Sequence, residues 1–348
     1  MLPEKQQSIY GKNVTKPASS LRFYLLTLLL SCVIALLVAE VVLRSLSYSV
    51  GTGIGRAHER WTEQYWRPVN EMGIRDFSVA ARLPLAQPKL YFLGDSFTAG
   101  HGVAFEETFY FRTAERLSHA YNLFNLSLNG ASTRSQLQTL YQFNTATGSQ
   151  ARIVVHQYFL NDIDDYIHRP EWTPPPLLAF LGRYLASAEF LLAYRFNEEW
   201  GNRYAQALEA AYLDANTMDK HETNLRLLHE YIRQQGGRVV FMIFPALSPD
   251  SRFERSLGAV DRIRDIYRKH CRPGDLYIDI PALARTLGES DRIVNFMDPH
   301  PSARLHALVA GQVQRAIAHI DRGEPLGEYQ QACQPDIGSV TETEIPPG

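Results

Sequence analysis

From Lys89 onward, short apolar runs alternate with stretches whose apolar residues recur at helical spacing. The runs are "KLYFLG" (89–94), "NLFNLSL" (122–128), "RIVVHQYF" (152–159), "RVVFMIFPA" (238–246) and "DLYIDI" (275–280). None alternates cleanly between apolar and polar, as expected of strands covered on both faces of a parallel sheet. Between and after them, residues 106–119, 132–147, 219–235, 258–270 and 302–318 read as helices. The glycine pair in "QQGGRVVF" marks a helix stop before a strand. The alternation predicts a three-layer α/β domain over 89–320, built on a five-stranded parallel sheet. An insertion at about 163–218 interrupts it, with helical Leu- and Ala-rich stretches at 177–194 and 203–215. It follows the carboxyl end of a strand, where it either walls a pocket or decorates the sheet edge.

The amino terminus follows a different pattern. Phe23 to Ala39 carries no charge, glycine or proline, and with the apolar residues up to Leu43 it reaches the ~20 residues of a membrane-spanning helix. The run exceeds the ~7–15 apolar residues of a cleaved signal peptide, and no A-x-A site follows it, so residues 23–43 are expected to be an uncleaved anchor. Lys5, Lys12, Lys16 and Arg22 precede it against Glu4 alone, which places residues 1–22 in the cytoplasm and the bulk of the chain outside it. Arg44, Arg56 and Arg60 weaken that bias without reversing it. Glu40 and Arg44 read as an i,i+4 ion pair at the outer end. Residues 44–88, with "GTGIG" and scattered prolines, read as linker and lead-in, and the polar tail 321–348 as disordered.

Composition adds limits. The 348 residues, 45% hydrophobic and 21% charged, carry a net charge of −2, which gives no ground for a nucleic-acid partner. Of the three cysteines, Cys32 falls inside the span, and Cys271 and Cys333 either pair in an oxidising compartment or stay reduced.

In open parallel sheets, ligands sit beyond the carboxyl ends of the strands. Those ends carry Asp95-Ser96, Asn129-Gly130, Asn161-Asp162 and, before the last helix, Asp298 and His300. A serine hydroxyl becomes a nucleophile when a base takes its proton, a role that fits His300, and that imidazole needs an acceptor such as Asp298. The N–H groups of Ser96 and Gly130 and the Asn161 amide are candidates for an oxyanion hole. Asp162, Asp164 and Asp165 lack calcium-loop spacing and read as a solvated turn, so neither metal nor cofactor is expected.

These residues resemble the signature blocks of the SGNH (GDSL-type) hydrolase superfamily. Gly94-Asp95-Ser96-Phe97 matches the first block, Gly130 the second, Asn161-Asp162 the third and Asp298-Pro299-His300-Pro301 the last. The chain further resembles bacterial members with one amino-terminal anchor and a lead-in like Gly73-Ile74-Arg75-Asp76. The resemblance implies a flavodoxin-like sheet of order 2-1-3-4-5 and metal-free ester hydrolysis or acyl transfer. Two positions depart from the pattern: Phe159 stands where the third block commonly has glycine, and Asp298 lies two rather than three residues before His300, leaving Asp291 as an alternative acid. The expected protein is a serine esterase at the bacterial inner membrane, periplasmic or extracellular, removing a small acyl group such as acetyl from a glycan. Ser96, His300 and Asp298 are its expected triad. The alternatives are an O-acyltransferase served by a membrane acyl-donor partner, and a non-catalytic anchored assembly component.

Overall fold

The computed structural model describes residues 18–248 and 252–333. Lys5, Lys12 and Lys16, and most of the tail expected to be disordered, lie outside the described residues. The chain opens on α1 (Ala18–Ser45), then α2 (Arg56–Tyr65) and α3 (Val79–Arg82) lead to β1 (Lys89–Leu93). There follow α4 (Ser96–Ala99), α5 (Phe109–Leu117), β2 (Asn122–Asn125), α6 (Thr133–Thr147) and β3 (Ala151–Phe159). The insertion supplies α7 (Pro176–Gly182) and α8 (Ala186–Leu213), after which α9 (Ala215–Gln234), β4 (Arg238–Phe244), α10 (Arg252–His270) and β5 (Leu276–Ile278) resume the alternation. The chain closes with α11 (Ile280–Arg285), α12 (Glu289–Arg292), the hairpin β6 (Ile293–Asn295) and β7 (Asp298–Pro301), α13 (Ala303–Arg322) and β8 (Gln330–Ala332).

The main sheet runs β2-β1-β3-β4-β5-β8. Its first five strands are parallel and in the expected order. Residues such as Phe92 and Phe241 are fully buried because helices cover both faces. Apolar side chains of α6, α9 and α10 form the core on one side, and those of α5, α11 and α13 the core on the other.

Three expectations need correction. The sheet has six strands rather than five, because Gln330–Ala332 pairs antiparallel with β5. A polar edge strand gives no apolar run to read. It is held by backbone pairing, by a Cys271–Cys333 disulfide and by the Cys333 N–H on the Asp275 carbonyl at 2.9 Å. Second, the insertion divides differently: the expected stretch 177–194 breaks after Gly182, leaving α7, and its second part runs on into the 28-residue α8, carried across residues 195–202 by Phe196, Trp200 and Tyr204, which stack at 5.3 and 4.7 Å. Third, residues 44–88 are not a free linker. Arg75 is buried and donates to the carbonyls of Tyr65, Ala99, Gly100 and Val103 at 2.6–3.1 Å, and buried Asp76 accepts from Arg82, Tyr110 and the Asn125 N–H at 2.6–2.9 Å. Trp61 is likewise buried, stacked on His58.

Candidate active site

β1 delivers its carboxyl end to a turn that leaves no room for side chains. A Cβ on Gly94 would lie 2.4 Å from Gln157 Oε1 and 2.5 Å from Thr98 Oγ1. That same Gln157 oxygen accepts from the Asp95 N–H (3.1 Å) and from Thr98 Oγ1 (2.9 Å), tying the turn to β3. Asp95 caps α4, its Oδ1 accepting from the Phe97 N–H at 2.9 Å, so Ser96 becomes the first residue of that helix.

His300 arrives from the other end of the chain. Asp298 and His300 are both on β7, and side chains two apart on a strand share a face. The two-residue spacing therefore puts His300 Nδ1 2.5 Å from Asp298 Oδ1, and the His300 N–H on the same oxygen at 3.1 Å. An ionised carboxylate only accepts, so Nδ1 carries the proton and Nε2 is left to accept from the Ser96 hydroxyl, 2.8 Å away. Burial opposes the charge on Asp298, but the adjacent His300 outweighs it, with His101 and Ser49 helping, and holds the carboxyl well below the usual range. Asp291 is elsewhere: it is exposed and pairs with Arg304 at 2.8 Å. Ser96 and His300 are only 8% and 9% exposed, so the pair is screened from bulk water.

Behind the pair lies a layer whose role sequence reasoning missed. The His101 ring packs against His300, tilted by 31° with 4.3 Å between centroids, and its Nε2 is 3.7 Å from the buried, otherwise unpartnered Oδ2 of Asp298. Nε2 donates to the Val50 carbonyl (3.1 Å), while the Val50 N–H donates to His58 Nδ1 (3.2 Å). One residue of the lead-in thus fixes two imidazole tautomers. Burial, then the nearby His300, lowers His101 to about 3, so it puts no charge against the His300 ring. Gly51 N–H on the Met297 carbonyl (2.9 Å) and Asn295 Nδ2 on the Ser49 carbonyl (3.1 Å) complete the clamp. The one sequence signal was position: His101 falls in the same small-residue turn as Ser96.

The other expected residues flank this centre. β2 pairs beside β1, and the Leu128 N–H on the Gly94 carbonyl (3.3 Å) leads the chain into an exposed turn where Gly130 adopts φ +68°. Asn161 follows β3 on the other side, half-buried. Phe159 stacks on Phe97 at 4.1 Å, and Phe97 in turn lies 5.3 Å from His300. Asp162 is not solvated as expected. It is buried and accepts from Gln136 Nε2 (2.7 Å) and Thr133 Oγ1 (3.3 Å), and burial together with Asp95 pushes its carboxyl well up. Asp164 pairs with Arg169 at 2.6 Å. Among the described residues, His101, Asp298 and His300 hold their ligand-type atoms within 4.8 Å of one another, but both ring nitrogens of His300 are already engaged.

The model of the GDSL-like lipase/acylhydrolase family matches residues 92–308. Solved structures similar to the chain include a member of the lipolytic protein G-D-S-L family from Veillonella parvula, at 13% identity over 65% of this chain and 95% of that one, with a TM-score of 0.41. The psychrotrophic esterase EstA from Pseudoalteromonas sp. matches at 14% identity over 66% and 97%, with a TM-score of 0.40. The acetylxylan esterase Axe2 from Geobacillus stearothermophilus, as a catalytic mutant, matches at 12% identity over 67% and 93%, with a TM-score of 0.41. No curated protein matched the chain.

Proposed function

This chain belongs to the GDSL-like lipase/acylhydrolase family, whose members act on ester bonds, and on that premise we propose that it is a membrane-anchored serine esterase with Ser96 as nucleophile. The observation that carries the reading is the unbroken chain Ser96 Oγ, His300 Nε2, His300 Nδ1 and Asp298 Oδ1, at 2.8 and 2.5 Å. Ser96 Oγ attacks the ester carbonyl as its proton passes to His300 Nε2. Asp298 steadies the resulting imidazolium. The N–H groups of Ser96 and Gly130 and the Asn161 amide receive the negative charge developing on the carbonyl oxygen. His300 returns the proton to the departing alkoxide, leaving acyl-Ser96. Water, deprotonated by His300, then releases the carboxylic acid and restores the serine.

The acyl group in this reading is small, acetyl by preference, on a glycan of the cell envelope or an exported one. The Phe97–Phe159 stack, packed at 4.1 Å with Phe97 5.3 Å from His300, is the feature beside the nucleophile that supports a short acyl group. For location, the apolar stretch Leu21–Ser45, 25 residues containing an 18-residue window of mean hydropathy 2.7, supports an anchor in the inner membrane. The basic residues ahead of it and the Cys271–Cys333 disulfide support a catalytic domain outside the cytoplasm. The test is hydrolysis of p-nitrophenyl acetate and butyrate by the full chain in detergent. Turnover with acetate favoured, and lost in Ser96→Ala and in His300→Ala, is the expected result. Turnover that survives both substitutions in folded protein overturns it.

A further inference from the structure

One end of the insertion is bound to the end of the apolar helix. Glu40, five residues before the end of α1, accepts from the Ala186 N–H at 2.8 Å and from the N–H and hydroxyl of Ser187, both at 3.0 Å. It thereby caps α8, whose own preceding residue, Leu185, offers no side-chain cap. One turn on, Arg44 pairs with Glu40 at 2.7 Å and donates to the Tyr184 carbonyl. Residues 184–187 are therefore held level with residues 40–44. Leu21–Ser45, at ~1.5 Å per residue, measures roughly 37 Å against a hydrocarbon core of ~30 Å, so the charged last turn of α1, through Arg44, reaches the headgroup zone.

The short helix that ends at this level is apolar and uncovered. α7, "PLLAFLG", buries none of its residues. Leu177 and Phe180, three apart on this helix, and Tyr184, two residues past its end, are 71%, 54% and 61% exposed, and the rings of Phe180 and Tyr184 lie 5.5 Å apart between centroids. Arg183 beside them is exposed too. An apolar patch with a neighbouring cation, tied to the rim of a membrane helix, matches the chemistry of a lipid interface.

We propose that α7 and the 183–185 turn dip into the outer leaflet of the bilayer that α1 crosses, a second membrane contact that fixes the catalytic domain's orientation. The inference rests on α1 being a membrane span. The partner is the lipid surface itself, with the acyl boundary taking Leu177, Phe180 and Tyr184 and anionic headgroups meeting Arg183.

The test uses the full chain in vesicles of phosphatidylcholine and phosphatidylglycerol with brominated acyl chains, and an environment-sensitive thiol dye. Cys32, exposed on α1, is the free cysteine and reports the span. In a Cys32→Ser background, Phe180→Cys reports α7, and Asn216→Cys, exposed in the first turn of α9 just past the far end of the 28-residue α8 and roughly 40 Å away, reports water. The dye at position 180 is expected to be blue-shifted and quenched severalfold more than at 216. A dye at 180 that behaves like the one at 216, with Cys32 quenched, overturns the proposal. An unquenched Cys32 overturns the anchor, and this inference with it.

Discussion

Asp298 shows how a single-residue difference in spacing can be absorbed by local structure. A loop needs a longer reach between acid and base, but on β7 the shorter spacing puts both side chains on one face and leaves 2.5 Å between Asp298 Oδ1 and His300 Nδ1. The sequence left Asp291 open as the acid, because nothing in "NFMDPHPS" announces a hairpin. Asp298→Asn would present an amide N–H to Nδ1, favour the wrong imidazole tautomer, and lower kcat by about 10⁴. Asp291→Asn, on an exposed pair with Arg304, is expected to leave kcat within about twofold, since exposed pairs contribute ~0–1 kcal/mol. Steady-state kinetics on both variants decides between the acids; the reverse ranking overturns the assignment of Asp298. The placement of Ser96, Gly130 and Asn161 beyond neighbouring strand ends, and the meeting of Ser96 with His300, were legible because chemistry and strand-end position agree on them. His101 was not, because its contacts come from Val50 and Asp298, far apart in sequence and joined only by folding.

At the scale of elements, the five parallel strands were legible because burial on both faces writes continuous apolar runs into the chain. What escaped was structure held by polar atoms. β8 is an edge strand of Gln330–Ala332, and the lead-in is fixed by Arg75, whose guanidinium spends itself on four backbone carbonyls. Three of those carbonyls, of Ala99, Gly100 and Val103, belong to the turn that follows Ser96. Arg75→Met keeps the apolar stem but leaves buried acceptors unpaired, so a stability loss of about 3 kcal/mol is expected. Urea unfolding measures it. A loss well under 1 kcal/mol would show that water replaces the guanidinium and that the lead-in is dispensable to the fold.

For the whole molecule, the most consequential choice is to bury imidazoles as neutral groups. His101, His156 and His306 are lowered to about 3, His221 to about 4, and His229 well below its usual value, in each case first by burial. Two of these contacts need an accepting ring nitrogen: His156 Nδ1 meets His229 Nε2 at 2.8 Å, so one of the two must accept, and His306 Nδ1 accepts from the Phe109 N–H at 3.1 Å. The unfolded chain protonates its imidazoles near ~6.5, while the folded protein resists to far lower pH, so the unfolded state binds more protons in between. Stability contributed this way is intact above ~6.5 and is lost as pH falls toward the folded values, at roughly 2 kcal/mol per imidazole by pH ~5. Asp76, Asp95 and Asp162 are shifted up by burial and return some stability on acidification, but three carboxyls oppose five imidazoles. Below ~3.8 the depressed carboxyl of Asp298 adds its own loss. Against a total of ~5–15 kcal/mol for a folded domain, the histidines alone can unfold the protein under mild acid. Thermal midpoints should be flat from about pH 8 to 7 and fall steeply below about 6.5. A midpoint that holds steady to about pH 5 would mean the imidazoles gain protons or water without unfolding, and that the polar core is looser than its distances imply.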